Sequence, residues 1–361
     1  MPVLALKEAF TARAIGMQWD NYKASLGEPP YLGVNKFGVT KQEGLELKFI
    51  KGKNGMPVSL KASNFDAKAE LRDSIGFSDV QNEMPFFRES IMVTEKEEQD
   101  YASYVNSENY AYANQILANI MKKPLDLVRG ADVVPERMVW QLLAPIDGIP
   151  RITVTIKGET FDIDYTNDQG VAHKRDHFSE LTGTDKWSDS ANATPLQDLI
   201  DLKKNFSKKT GYKLTRFSMN SETWDMVTAA EDTKKQALGI IAYQGGVRLE
   251  DEDVTKYLRG KGITIEVYDK MFIDEAGQTR YFIPTGIVSA QADVYLGAVT
   301  YGTTPEERSG DQATGNLSIV NTGVAIYTYT TNHPINTHSV VSEIVLPSFE
   351  GMDAVAVMKV A

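Results

Sequence analysis

Residues 263–301 read ITIEVYDKMFIDEAGQTRYFIPTGIVSAQADVYLGAVTY, and they carry architecture without chemistry. Ile263, Ile265 and Val267 alternate with Thr264 and Glu266, the period of two that marks a half-buried strand. Met271–Ile273 leads into Asp274-Glu275-Ala276-Gly277, where Gly277 can supply the positive φ of a short reversal. Tyr281-Phe282-Ile283 returns and Pro284 stops it, since proline cannot donate to a ladder. Ile287 to Tyr301 reads as a further strand.

Outward from this segment the chain alternates helix and strand. Thr194 as N-cap and Pro195 at the first helical position open an amphipathic helix through Leu196, Leu199, Ile200, Leu202 and Phe206, and Gly211 closes it. Leu214–Met219 reads as a strand, and Ser221 starts the next helix. Residues 166–194 are polar and read as a loop and a boundary. Before them, Ile152, Val154 and Ile156 alternate up to Lys157-Gly158-Glu159, and Phe161, Ile163 and Tyr165 come back as a hairpin. From Glu97 to Ala144 the apolar spacing is helical, and Pro124, Gly130 and Pro135 predict two or three segments instead of one rod. The tail from Leu317 to Ala361 is rich in strands.

The N-terminal third is less regular. Leu4, Phe10, Ala14, Met17 and Trp19 form a loosely helical stretch cut off by Gly27-Glu28-Pro29-Pro30. It reads either as a first helix docked on the core or as an arm that leaves its own subunit. Leu45, Leu47 and Phe49 alternate with Glu46 and Lys48, then come Lys51-Gly52-Lys53-Asn54-Gly55 and Met56-Pro57-Val58-Ser59-Leu60. Asn-Gly between alternating runs predicts a hairpin with one apolar face, and a two-stranded ribbon alone is marginal in water. The polar, aperiodic segment to Ser90 offers that face no local cover. An adjacent subunit is therefore the expected partner, with Phe49, Lys51, Lys53, Asn54 and Met56 as candidate intersubunit contacts.

Composition bounds the function. Hydrophobic residues at 42% and charged ones at 24% are ordinary for a globular chain of 361 residues. The 38 basic and 49 acidic side chains give a net charge of −11, which argues against a protein built to grip phosphates. Cysteine is absent, so disulfides, thiolate metal sites and cysteine nucleophiles are excluded. The start, MPVLALKEAF, has no basic segment ahead of an apolar one and is not read as a signal peptide, and no run reaches the ~20 apolar residues of a membrane span.

Candidate chemistry is sparse. His173 and His177 stand four apart with Asp176 between them, and on a helix such a pair can bind a metal; their polar surroundings read as a solvated loop with no third ligand. Asp162, Asp164 and Asp168 lack the glycine and glutamate of a calcium hand. His333 and His338 are read as loop residues flanking Pro334. No nucleophile elbow and no phosphate-binding glycine loop is present, so no catalytic or cofactor residues are assigned.

The order VYDKMF, acidic turn, YFIP, TYG resembles lambda-type major capsid proteins of tailed phages, the major capsid protein E family. So do ERMVWQLLA running into a hairpin (136–165), the TPLQDL helix start (194–199) and the closing DAVAVMKVA (353–361). The resemblance runs from about residue 85 onward and implies an α+β, Hong Kong 97-like capsid fold. Under it, 1–40 is an N-terminal arm, 41–92 an extended β-hairpin loop, 93–193 with 316–361 a peripheral domain with a long spine helix, and 194–315 a compact axial domain. It implies a structural protein that is not an enzyme, assembles in the host cytoplasm as pentamers and hexamers, and closes into an icosahedral virion shell. That shell would enclose DNA without sequence-specific binding and meet scaffolding, decoration and portal proteins, with no cofactor, metal or membrane. Two competing readings are a bacterial nanocompartment (encapsulin-like) shell and, more distantly, a metal-dependent α+β enzyme using His173 and His177.

Overall fold

The structure, a computed structural model, describes residues 10–52, 77–156, 159–166, 171–239, 248–309 and 315–361. In chain order the elements begin with α1 (Ala12–Leu26), α2 (Leu32–Lys36), β1 (Gly38–Lys41), β2 (Glu46–Gly52), β3 (Phe77–Glu83), β4 (Phe86–Val93), α3 (Glu95–Asn106) and α4 (Tyr110–Leu143). There follow β5 (Arg151–Ile156), β6 (Glu159–Asp164), α5 (Val171–His177), β7 (Phe178–Glu180), α6 (Pro195–Thr210), β8 (Leu214–Met219), α7 (Ser221–Ala229), α8 (Glu231–Leu238) and α9 (Asp251–Gly260). The last are β9 (Thr264–Val267), β10 (Met271–Ile273), β11 (Thr279–Tyr281), β12 (Ile287–Ala292), β13 (Ala298–Tyr301), α10 (Pro305–Arg308), β14 (Leu317–Val320), β15 (Val324–Thr330), β16 (Thr337–Pro347) and β17 (Val355–Lys359).

The chain divides into two compact units, the first formed by residues 1–47, 82–137 and 298–348 and the second by 48–81, 138–297 and 349–361. Among the described residues the first unit holds a sheet ordered β1-β13-β16-β15-β14, with β4 also paired to β16. The eleven residues of β16 make this possible: Thr337–Ile344 pairs β4 while Val345–Pro347 pairs β13. Phe10, Ile15 and Trp19 from the N-terminal stretch, Ile120, Leu125 and Val128 from α4, and Val324, Ile326 and Val341 from the sheet form one apolar layer. The first helix is thus docked on the core of its own chain, and Gly27, left-handed at φ 59°, ends it as its position before the proline pair predicts.

The second unit holds a sheet ordered β7-β17-β12-β8-β9, with β17/β7 and β8/β9 parallel and the central pairs antiparallel. The predicted amphipathic helix is α6, whose Leu196, Leu199, Ile200 and Phe206 pack with Leu214, Phe217, Val288 and Met358. The β10–β11 hairpin and the β5–β6 hairpin form as read. Gly277 takes the positive φ its turn requires, 75°.

Several expectations are corrected. Pro124 and Pro135 lie inside one continuous α4 of 34 residues; the break comes earlier, at residues 107–109, where Glu108 has φ 59°. Each proline removes one helical hydrogen bond at a cost of about 3 kcal/mol, which the buried stripe Ile120, Met121, Leu125 and Val128 offsets. The stretch Ile287–Tyr301 is two strands, β12 and β13, and they belong to different sheets. The polar segment 166–194 contains α5 and β7. Thr194 occupies the N-cap position of α6 with Pro195 after it, as read, but its hydroxyl turns to Asp198 Oδ1 and caps no backbone N–H. The unit boundaries also differ from the expected ones: residues 138–193 and the closing strand β17 belong with the 194–297 region, and 298–315 with the other unit.

Candidate functional site

The functional candidates are surfaces and the contacts that hold them. Strand β2 pairs with β3 among the described residues, and Met56–Leu60, the return strand that the Asn-Gly signal predicts, lies outside them. Phe49 is buried against Tyr165 of its own chain at a ring separation of 5.8 Å, and Leu47 is buried as well. Phe49 is therefore not available to a neighbouring subunit, which corrects its assignment as an intersubunit contact. Lys53, Asn54 and Met56 lie outside the described residues, as does the side chain of Lys51 on β2.

Among the described residues, exposed apolar side chains occur on the strands of both units. Met271 and Ile273 on β10 are 51% and 72% exposed, while Phe272 between them turns inward onto Phe282 at 4.9 Å. This is the period-two alternation expected of a ribbon with one covered face. On the first unit, register aligns Met92, His338 and Tyr329 across β4, β16 and β15. His338 stacks on Tyr329 at 4.9 Å and lies within a strand, not in the loop the sequence suggested.

The N-terminal region is anchored by α4. Glu136, fully buried, accepts the backbone N–H groups of Gly33 at 2.9 Å and Val34 at 2.8 Å, so its carboxylate sits at the start of α2. Lys23 donates to Asp132 at 2.9 Å, Tyr22 to Asp126 at 2.5 Å, and Arg129 pairs with Glu28. Burial, reinforced by the hydrogen bond to Asp126, pushes the Tyr22 hydroxyl up to about 12. None of these partners is close in sequence, and only Glu136, standing just ahead of the mostly apolar run 138–144, hinted at them.

The histidines differ from their reading as a solvated loop. His173 and His177 are buried on α5 and stack at 4.6 Å with a 9° interplanar angle. His177 meets the Phe206 ring edge-on, holds Nδ1 3.2 Å from the Val355 carbonyl and Nε2 3.7 Å from Asp353. Their spacing of four was the usable signal: it puts both rings on one helix face. Asp164 accepts the backbone N–H and hydroxyl of Thr166, and Asp162 accepts the Thr153 hydroxyl, so both serve the β5–β6 hairpin; Asp168 lies outside the described residues. Among the described residues no group of three or more His, Cys, Asp or Glu side chains is placed to hold a metal ion. No described helix is long and apolar enough to cross a membrane.

The α+β architecture is that of Hong Kong 97-like phage capsid proteins. A phage-related protein of Bordetella bronchiseptica RB50 matches at 11% identity and TM-score 0.55, over 96% of this chain and 95% of that one. A candidate prophage capsid protein of Escherichia coli CFT073 matches at 11% identity and TM-score 0.52, over 99% and 97%. The capsid asymmetric unit of Cyanophage A-1(L) matches at 11% identity and TM-score 0.50, over 92% of each chain. No curated protein matches by sequence. The family model described as Phage major capsid protein E matches residues 29–355. The chain belongs to the phage major capsid protein E family, and it is a structural protein of the phage head.

Proposed function

We propose that copies of this chain associate as pentamers and hexamers into an icosahedral shell around the phage genome, with assembly in the host cytoplasm. The observation that carries this reading is the family match over residues 29–355 on an α+β fold of that kind. The acidic balance of 38 basic to 49 acidic side chains suits a container, because a lining that repels phosphates lets DNA pack without sticking to it. A portal, and a scaffolding or decoration protein where one is used, are the partners this reading allows.

Lys51, Lys53, Asn54 and Met56 act between subunits in this proposal, and Phe49 does not. The support is sequence pattern: Lys51 at the end of β2, then Lys53 and an Asn-Gly pair, following Leu47 and Phe49, which are already buried at home. Exposed ion pairs contribute only ~0–1 kcal/mol each, yet the term repeats in every copy. Sedimentation velocity of the purified chain and of Lys51→Glu/Lys53→Glu tests this. The wild type should sediment as capsomers and shells, and the double variant as smaller species with an unchanged melting temperature. A double variant that assembles as the wild type does overturns the assignment of these residues.

A further inference from the structure

Glu343 on β16 is 1% exposed, and neither of its carboxylate oxygens has a hydrogen-bond partner among the described residues. Strand alternation puts it on the same face as Val341, in the layer that packs Ile15, Trp19, Val324 and Ile326. Its register partner on β4 is the apolar Phe87. The titratable groups that face it are Asp132 from α4 and Tyr301 from β13; Glu89, two residues from Phe87 on β4, is exposed.

Asp132 is already engaged. It accepts from Lys23 Nζ at 2.9 Å and from Asn321 Nδ2 at 2.6 Å, and Asn321 Oδ1 accepts the Trp19 indole N–H at 3.1 Å. The chain Trp19–Asn321–Asp132–Lys23 therefore fastens α1 to the rest of its unit beside a buried carboxyl. An ionised Glu343 would have no hydrogen-bond partner among the described residues in the closed form and would set a second negative charge near Asp132. Burial first, and then the charge of Asp132, push this carboxyl well above the usual range.

We propose that Glu343 is a proton-gated latch for α1: protonated, it keeps the first helix docked on its own subunit, and deprotonation opens the layer and releases that helix. Opening lets water reach the carboxylate and relieves its repulsion with Asp132. The device belongs to the single subunit and holds whatever that subunit assembles into. A group with a raised value in the closed form keeps a proton that the open form gives up. Closure is therefore insensitive to pH below the ordinary carboxylate value near 4.5, weakens as pH rises above it, and levels off past the raised value.

The test is hydrogen exchange of the amides of α1, read by mass spectrometry on the full-length chain kept dilute enough to stay unassembled. Rates are taken from pH 5 to 9 and corrected for intrinsic exchange, for the wild type, Glu343→Gln and Glu343→Met. The open population of wild-type α1 should rise by up to tenfold per pH unit over part of this range. Both variants, which cannot ionise, should show a flat corrected profile. Two shapes of substituent guard against one of them failing to fold. A wild-type profile that is flat, or variants that keep the wild-type slope, overturns the latch.

Discussion

Trp19 donates its indole N–H to Asn321 Oδ1 over 3.1 Å, bonding α1 to the turn between β14 and β15 that lies 302 residues further along the chain. That contact decides between the two readings of the N-terminus. Phe10, Ile15 and Trp19 are each at most 2% exposed, so in the subunit the first helix is core, not a loose extension. Deleting residues 2–26 should therefore destabilise the first unit severely. Trp19→Ala alone should lower the unfolding free energy by about 3–5 kcal/mol in urea titration. A truncated chain that melts like the full one contradicts the packing described.

Glu136 offers a sharper probe because one carboxylate satisfies two backbone donors, Gly33 and Val34. Glu136→Ala leaves both N–H groups without their acceptor and should cost about 2–4 kcal/mol, and Glu136→Gln, which keeps one acceptor oxygen, should fall between. The shift in denaturant midpoint at constant slope measures it.

Replacing both His173 and His177 by alanine should not be silent. The stacked rings fill space against Phe206, and emptying it should cost about 2–4 kcal/mol by analogy with other buried large-to-small changes. A lower melting temperature independent of added chelator is the expected result. Chelation that mimics the mutation would instead indicate a bound metal.

Two glycines should respond to alanine with opposite sign. A Cβ on Gly351 would stand 2.5 Å from the Tyr295 carbonyl oxygen and 2.8 Å from Leu296 Cα, backbone atoms that cannot step aside, so Gly351→Ala should destabilise by about 1–3 kcal/mol. Gly130 in α4 has nothing within 4 Å of that position, and Gly130→Ala should stabilise by about 0.5–1 kcal/mol through helix propensity. Paired thermal melts report both.

Local chemistry made parts of this fold legible in the sequence. The Asp274–Gly277 reversal, the Pro195 start and Gly211 stop of α6, and the β5–β6 alternation each depend on residues a few positions apart. What escaped depends on distance. Nothing near Ile287–Tyr301 says that its halves serve different sheets, because their partners are β8 and β17 for one and β1 and β16 for the other. Prolines inside α4 read as breaks because the packing that retains them comes from Trp19, Val341 and other residues far away in the chain. Of the candidate assembly residues, Phe49 was misplaced for the same reason: its cover, Tyr165, lies 116 positions further on. The buried carboxyls of Glu136 and Glu343 carry no signature in a sequence with 49 acidic residues.

The central claim is that this chain builds a shell from copies of itself. Cryo-electron microscopy of the purified chain, imaged over a range of salt and concentration, tests it most directly. Closed particles or sheets of fivefold and sixfold capsomers, with this α+β fold in each subunit, are the predicted result. A monomer that stays monodisperse under every condition contradicts it.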